Sequence, residues 1–537
     1  MKKILSLLSI LIIITSCNEV LDLKPLDRLS EKDLWQDENL VQAYINANYH
    51  SIPHGFPQGL LAAATDEIYD IHNASGGYII QRGELTSDNV TSLSTLINNW
   101  NHSFSYLRNI NIFFEKINDS PINEDKKQTM IGEMKFLRAF IYFNLISRYG
   151  GVPIITESFK LDDDFSVSRN TYDECVDFIC LELDETIKLL PNKSETLGKI
   201  SADAARALKS RVLLYAASSL NNPNHDLQKW QKASDAASEL LDAGYTLHDD
   251  YQNIFLENND EIIFARYFSQ SNFHRMTLFN GRNGSNGWGG NCPTENLVSS
   301  FEMLNGKMPF LDDGVTVNPE SGYDPNNPYV DRDPRFYASI LYDGAIWMDR
   351  ETETYNGGLD SRGSSIEAWN ASLTGYYMKK FITPDIPPTG STTQPTNPWI
   401  HFRYTEILLN YAEAQFELGH EEIALEIINR VRARPSVQMP PIFASGEELR
   451  ERIYHERRIE LMFEGHRFFD VRRWKVAQMT ENINLKRMVI EKLDDGSKKY
   501  EVKELEKRSF KEMHYYLPIP RTEIDKSLGS LTQNNGY

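Results

Sequence analysis

The sequence predicts a mainly α fold, a tetratricopeptide-like helical-repeat scaffold that carries an irregular, loop-rich ligand-binding region. Three observations predict it. Apolar residues recur at helical spacing over most of 31–264 and 401–537. Within Ile407–Arg434, Tyr411, Ala412, Gly419, Ala424 and Ile428 fall where a repeat of about 34 residues puts its small and large packing positions. Between about 265 and 400 that period gives way to Gly, Asn, Pro, Asp and Ser with scattered Trp and Tyr.

The elements follow in chain order. Lys2 and Lys3 precede an apolar run from Ile4 to Ile14, and Thr15, Ser16 and Cys17 come next. A basic start, a short apolar stretch and small residues before a cysteine predict a signal peptide over 1–16 and lipidation of Cys17. The run is shorter than the roughly 20 apolar residues of a membrane span. Residues 17–30 then read as a tether to acyl chains in a bilayer.

Ser30 is placed to cap a helix that continues through Tyr44 and Tyr49. Helices are predicted over about 96–117 and 124–149. In the second, Phe136, Ala139, Phe140 and Phe143, flanked by Leu137, Ile141 and Leu145, make the helix apolar nearly all round and therefore buried. Gly150-Gly151 ends it and Pro153 prevents resumption. Further helices are predicted over 171–190, 201–220, 229–243, 403–418, 421–434 and 446–464. The pair 201–220 and 229–243 is a weaker copy of the repeat, carrying Ala205, Leu208, Ala216, Ala233 and Ala237. These elements divide the chain into an N-terminal helical region (31–264), irregular ligand-binding loops (265–400) and a C-terminal helical region (401–537).

The 537 residues carry 56 basic and 76 acidic side chains, a net charge of −20. That balance argues against nucleic acid or a polyanionic membrane face as partner. Cys175, Cys180 and Cys292 make no CxxC pair, which excludes a cysteine zinc site, and they read as buried thiols.

The segment 456–474 concentrates chemistry-bearing residues. Glu456, Glu460 and Glu464 share a helix face, near His466 and Asp470. Arg457, Arg458, Arg467, Arg472 and Arg473 interleave, enough cation to pair every acid, and no HExxH is present. The pattern predicts a buried ion-pair network with Phe463, Phe468, Phe469 and Trp474 around it, not a metal site. No carboxylate pair stands out for glycoside hydrolysis. G-x-S-x-G and GxxxxGK[ST] are absent. Asp312-Asp313-Gly314 and Asp331/Asp333 do not fit a calcium loop, and Asp333-Pro334 reads as a turn. The chain is expected to be no enzyme and to hold no cofactor and no metal.

The aromatics remain. An exposed ring flanked by amides, carboxylates and guanidinium groups suits a sugar, whose faces carry C–H bonds and whose edges carry hydroxyls. Trp288 has Arg282, Asn283, Asn286 and Asn291 beside it. Trp347 lies near Asp343, Asp349 and Arg350, with Tyr355 following. Tyr78 and Arg82 come after Asp66-Glu67, and Trp369 adjoins Asn370. The candidate ligand-binding set is Trp288, Trp347, Tyr355, Trp369, Tyr78, Arg82, Asp66 and Asn291. Trp100, on a predicted helix, is assigned to the scaffold.

Four blocks together resemble the SusD/RagB family of outer-membrane nutrient-binding lipoproteins from Bacteroidetes-type bacteria. They are Phe136–Phe140 through Arg148–Pro153, Asp331–Arg335, Glu456–Arg458 through Glu460–Asp470 with Arg472-Arg473-Trp474, and the tail from Leu517–Pro520 to Leu531–Tyr537. The resemblance implies four tetratricopeptide-like units under an irregular ligand-binding region. It implies a surface-exposed outer-membrane lipoprotein that captures oligosaccharides without hydrolysing them. Its implied partner is a SusC-type TonB-dependent barrel transporter. A peptide-binding receptor of the same family and a protein-binding tetratricopeptide scaffold without its own ligand are the alternatives.

Overall fold

The computed structural model describes residues 31–537 except 161 and 164–165. The predicted signal peptide, Cys17, the tether and the Ser30 cap lie outside the described residues. No helix among those described is long and apolar enough to cross a membrane.

The first predicted helix is two pieces. A single turn, Glu31–Leu34, is followed by α1 (Glu38–Asn48), restarted by Asp37, whose carboxylate accepts from the Asn39 and Leu40 amides. α2 (Trp100–Lys116) starts later than its apolar pattern. α3 (Glu124–Tyr149) is capped by Asn123 and ended by Gly150 at φ +74°. α4 (Tyr172–Leu189) opens with a reciprocal capping box between Thr171 and Glu174. α5 (Ala202–Ala217) and α6 (Leu227–Ser238) are capped by Ser201 and Asp226. Asp333-Pro334, expected as a turn, opens the short helix α7 (Pro334–Ser339), with Asp333 as cap and proline in the first turn, where its missing N–H costs nothing. α8 (Tyr404–Glu417), α9 (Glu421–Arg432), α10 (Gly446–Glu460) and α11 (Arg467–Arg473) follow. α10 stops four residues short of Glu464, and Phe463 then takes φ +64°. Glu464 therefore leaves the helix face of Glu456 and Glu460.

α3 packs on α4, α4 on α5, α5 on α6, α6 on α8, and α8 on both α9 and α10. Small residues set the spacing. A Cβ on Gly132 of α3 would lie 2.9 Å from the Leu190 side chain, and Ala204, Ala205, Ala207, Ala233, Ala236 and Ala237 are all buried where α5 meets α6. The outcome is the predicted mainly helical, repeat-like array. α3, buried along both flanks, lies at its centre.

Ten strands occur among the described residues: β1 (Ile68–Asp70), β2 (Ile262–Arg266), β3 (Asn291–Pro293), β4 (Ile340–Leu341), β5 (Ile346–Trp347), β6 (Arg350–Glu351), β7 (Tyr377–Met378), β8 (Trp399–Arg403), β9 (Leu485–Lys492) and β10 (Lys498–Glu506). They form five antiparallel pairs: β1–β3, β2–β8, β4–β7, β5–β6 and β9–β10. The β9–β10 hairpin lies beyond the last helix predicted in 401–537, which ends at 464. Its turn is closed by Leu493 N–H to Ser497 O at 2.9 Å, with Gly496 at φ +87°. β10 is solvent-facing along most of its length, and only Tyr500 and Val502 alternate as apolar residues in it.

Two cores result. One is the interior of the helical array. The other gathers Phe56, Ile68, Tyr251, Phe255, Phe301, Phe336, Tyr376, Phe381, Met462 and Ile490 from the irregular region and both ends of the chain. Between them lies the ion-pair network expected around 456–474, and it extends well beyond that segment. Arg335 meets Asp333 at 2.8 Å and Glu460 at 3.0 Å. Arg403 meets Glu261 at 2.7 Å, Glu460 at 3.0 Å and Glu464 at 2.8 Å. Arg434 meets Glu261 and Glu460, and Arg432 meets Glu302 and Glu456. All these side chains are buried. Burial alone would raise the Glu456 carboxyl, yet Arg335 and Arg432 beside it hold it down at about 2. Cys175 and Cys292 are buried free thiols, whereas Cys180 is half-buried.

Candidate ligand-binding face

The site is built outward from β1. Ile68 enters the core, Tyr69 faces out half-exposed, and Asp70 is buried. The Asp70 carboxylate accepts from the His72 amide at 3.1 Å and the Ser75 amide at 3.0 Å, which folds 70–75 into a tight turn and presents His72. His72 Nε2 lies 2.8 Å from the Trp288 carbonyl oxygen, which accepts from it.

Trp288 stands in a loop held by its own backbone. The Trp288 amide donates to Leu278 O at 2.7 Å, and Gly289 N–H to Gly281 O at 2.9 Å. Gly289, at φ +50°, is required there: a Cβ would lie 2.4 Å from Asn370 O and 2.8 Å from the Tyr377 ring. The Trp288 and Trp369 loops therefore touch backbone to backbone. The half-buried Trp288 ring leans on Phe279 at 5.4 Å. Trp369, on the 3₁₀ turn Ala368–Asn370, is 62% exposed and lies edge-on to His72 at 5.9 Å. Asn370 is buried, donates to Glu367 at 2.7 Å, and leaves its Oδ1 without a hydrogen bond.

On the other side of β1, Tyr78 sits on the short helix Gly77–Gln81. The Arg82 guanidinium lies over its ring at 5.1 Å and donates twice to Glu506 of β10, at 2.9 and 3.1 Å. Tyr69 bridges the two halves. Burial and then Glu506 raise its phenol, while Arg82 and Arg362 both pull it down.

The structure thus brings Trp288, Trp369, Tyr78 and Arg82 to one face along β1. Tyr69, His72 and Glu506 join them. Sequence reasoning missed those three, because nothing near them in the chain marks them.

The other candidates lie elsewhere. Trp347 is 7% exposed and packs with Leu341, Tyr377 and Ile382 in a small core. Tyr355 is half-buried between Lys492 and Lys498 of the hairpin, at 5.1 Å from each. Asn291 is buried, its amide spent on Gln58 O and Asn280 Oδ1, both at 2.7 Å. Asp66 is buried and bound to Arg458 at 2.7 Å and Arg467 at 2.9 Å, which hold its carboxyl far below the usual range against the effect of burial. These four side chains are occupied by packing or by ionic partners, so the structure does not bring them to the face. No group of three or more His, Cys, Asp or Glu among the described residues is arranged to hold a metal ion.

Beside Asp66, Glu67 is 1% exposed and accepts one hydrogen bond, from the Phe463 amide at 3.2 Å. Burial and then Asp66 push its carboxyl up to about 7. A carboxyl whose pKa rises on folding costs stability as pH climbs from its unfolded value of about 4.5 through 7. Glu67→Gln is therefore expected to stabilise the protein at pH 8 by about 2–3 kcal/mol. The gap should close toward pH 4.5, as denaturant midpoints at the two pH values will show.

Comparison with known proteins places this geometry in context. Residues 248–537 match the model described as the SusD family, and 21–214 match one described as starch-binding associating with the outer membrane. A SusD-like protein from Formosa agariphila is 24% identical, the alignment covering 88% of this chain and 91% of that one. A SusD-like protein of Bacteroides fragilis, solved by crystallography, is 30% identical with a TM-score of 0.80, over 96% of this chain and 100% of the other. A second B. fragilis structure, of a SusD-like carbohydrate binding protein, is 24% identical with a TM-score of 0.77, over 93% and 99%.

Proposed function

The chain belongs to the SusD family, and from that premise we propose that it captures an extracellular oligosaccharide on the Trp369–His72–Trp288 face and passes it on without cleaving it. In this reading it is anchored through Cys17 in the outer membrane, exposed at the cell surface, and delivers its cargo to a SusC-type TonB-dependent barrel.

The observation that carries the reading is Trp369, a large ring 62% exposed beside a half-exposed histidine and a second tryptophan. A flat exposed ring with polar neighbours matches a sugar's apolar face and hydroxyl edges. The loops of 265–400 supply both tryptophans, while residues 69–82 supply the polar edge.

The acids near the face favour binding over cleavage. Hydrolysis needs two carboxyl groups on either side of the scissile bond, roughly 5–10 Å apart, one protonated and one free. Asp70 is buried in its turn, Glu506 is held by Arg82, and Glu367 accepts from Asn370. Membership of the family and the lipoprotein-type leader support the anchor and the barrel partner.

The test is calorimetric titration of the full chain with plant, host and microbial oligosaccharides and with mixed peptides. Saturable binding to one glycan class is expected. Binding to peptides alone would replace the cargo, and silence across the panel with the barrel present would overturn the reading.

A further inference from the structure

We propose that a second pocket, beside Arg266, binds a small oxyanion: the carboxylate or sulfate of an acidic sugar, or the free ion. Arg266 ends β2, is half-buried, and lies over the Phe268 ring at 5.4 Å. Among the described residues its guanidinium makes no hydrogen bond and meets no carboxylate. Burial is the sole cause that lowers its pKa, with no nearby acid to oppose it.

This sets Arg266 apart from the other buried guanidinium groups. Arg403 and Arg434 both pair with Glu261 and Glu460, and Arg403 pairs with Glu464 as well. Arg148 also lacks a carboxylate, but it donates to the carbonyls of Leu96, Ile97 and Asn144. The donors of Arg266 are unspent.

They border a cavity of about 240 Å³ walled by Tyr49, His50, Arg266, Tyr267, Asn272 and His401, and no Asp or Glu lines it. In a chain of net charge −20, an acid-free pocket around an uncompensated cation is an electrostatic exception. A guanidinium presents a planar fork that fits a carboxylate or sulfate, and partial desolvation strengthens the attraction. His401 does not compete as a cation: burial, then Arg211, His54 and Arg266, push it down to about 3. It serves as neutral polar wall. The cavity has room for a single small ring or a hydrated ion. It shares no residue with the Trp369–His72–Trp288 face.

The experiment is calorimetric titration of the full chain at low ionic strength with glucuronic acid, sodium sulfate and glucose. Saturable binding of glucuronate or sulfate, but not glucose, is expected. Arg266→Gln should weaken it about 10-fold or more, the usual cost of a lost charged hydrogen bond. Arg266→Lys should retain part, and Asn272→Ala, which leaves the Phe268 stack intact, should weaken it if the glutamine variant misfolds. Glucuronate binding tighter than sulfate assigns the site to a sugar-borne acid. Equal binding assigns it to the free ion. If neither binds, or if Arg266→Gln and Asn272→Ala both bind as the parent does, the proposal fails.

Discussion

Trp369→Ala is expected to weaken glycan binding about 10- to 100-fold while leaving the fold unchanged. The ring is 62% exposed and touches mainly the edge of His72, so truncation opens no cavity. Surface substitutions of this kind move stability by about 0.5 kcal/mol or less. Its loss removes the broadest platform on the face, and aromatic anchors of binding sites are worth about 2 kcal/mol or more. Trp288→Ala should lose binding and some stability together, because that ring is half-buried against Phe279. Calorimetry beside thermal melts separates the two effects. A Trp369→Ala protein that binds like the parent would place the ligand elsewhere.

The largest expected loss of stability is Glu460→Ala. Glu460 accepts from Arg335, Arg403 and Arg434 with no exposure to solvent. Those three cations hold its carboxyl far below the usual range despite burial. Removing it leaves them short of one counter-charge between the two cores. Breaking a buried pair on one side costs about 3–5 kcal/mol. The expected result is a markedly lower urea midpoint, or a chain that does not accumulate folded. A midpoint equal to the parent's would mean that water or the remaining acids compensate. The sign with pH follows from the depressed carboxyls. Their contribution is complete above the unfolded value of about 4.5 and fades as pH falls toward about 2, where Glu456 titrates.

The helical array was legible because its signals are local. The all-round apolar character of α3, the Thr171–Glu174 box and the alanines of α5 and α6 can be read from neighbours in the chain. The β9–β10 hairpin was not, since charged residues occupy six of the nine positions of β10 and leave only Tyr500 and Val502 in alternation. For the ligand face, residue type was legible and exposure was not. Trp347 and Trp369 look alike in sequence, each in a polar, Gly-rich stretch. One packs on Leu341, Tyr377 and Ile382, and the other stands in solvent. His72 reaches Trp288 across 216 positions, a contact no local pattern encodes. The ion-pair network lay between these cases. The acids and arginines of 456–474 announced it, but Arg335, Arg403 and Glu261 enter from other elements.

α6 ends at Ser238 and α8 begins at Tyr404, yet the two helices lie against each other, and β2 and β8 pair where the intervening chain leaves and returns. The long excursion between them is thus a loop with its ends already joined. Closing a loop becomes only slowly more costly as it lengthens. The repeat array can accept changes in the excursion's outer loops without re-spacing its helices, provided Glu302 and Arg335 still meet Arg432, Glu456 and Glu460 in the buried network. Length changes confined to those outer loops leave the ends of the excursion, and the helices they join, where they are.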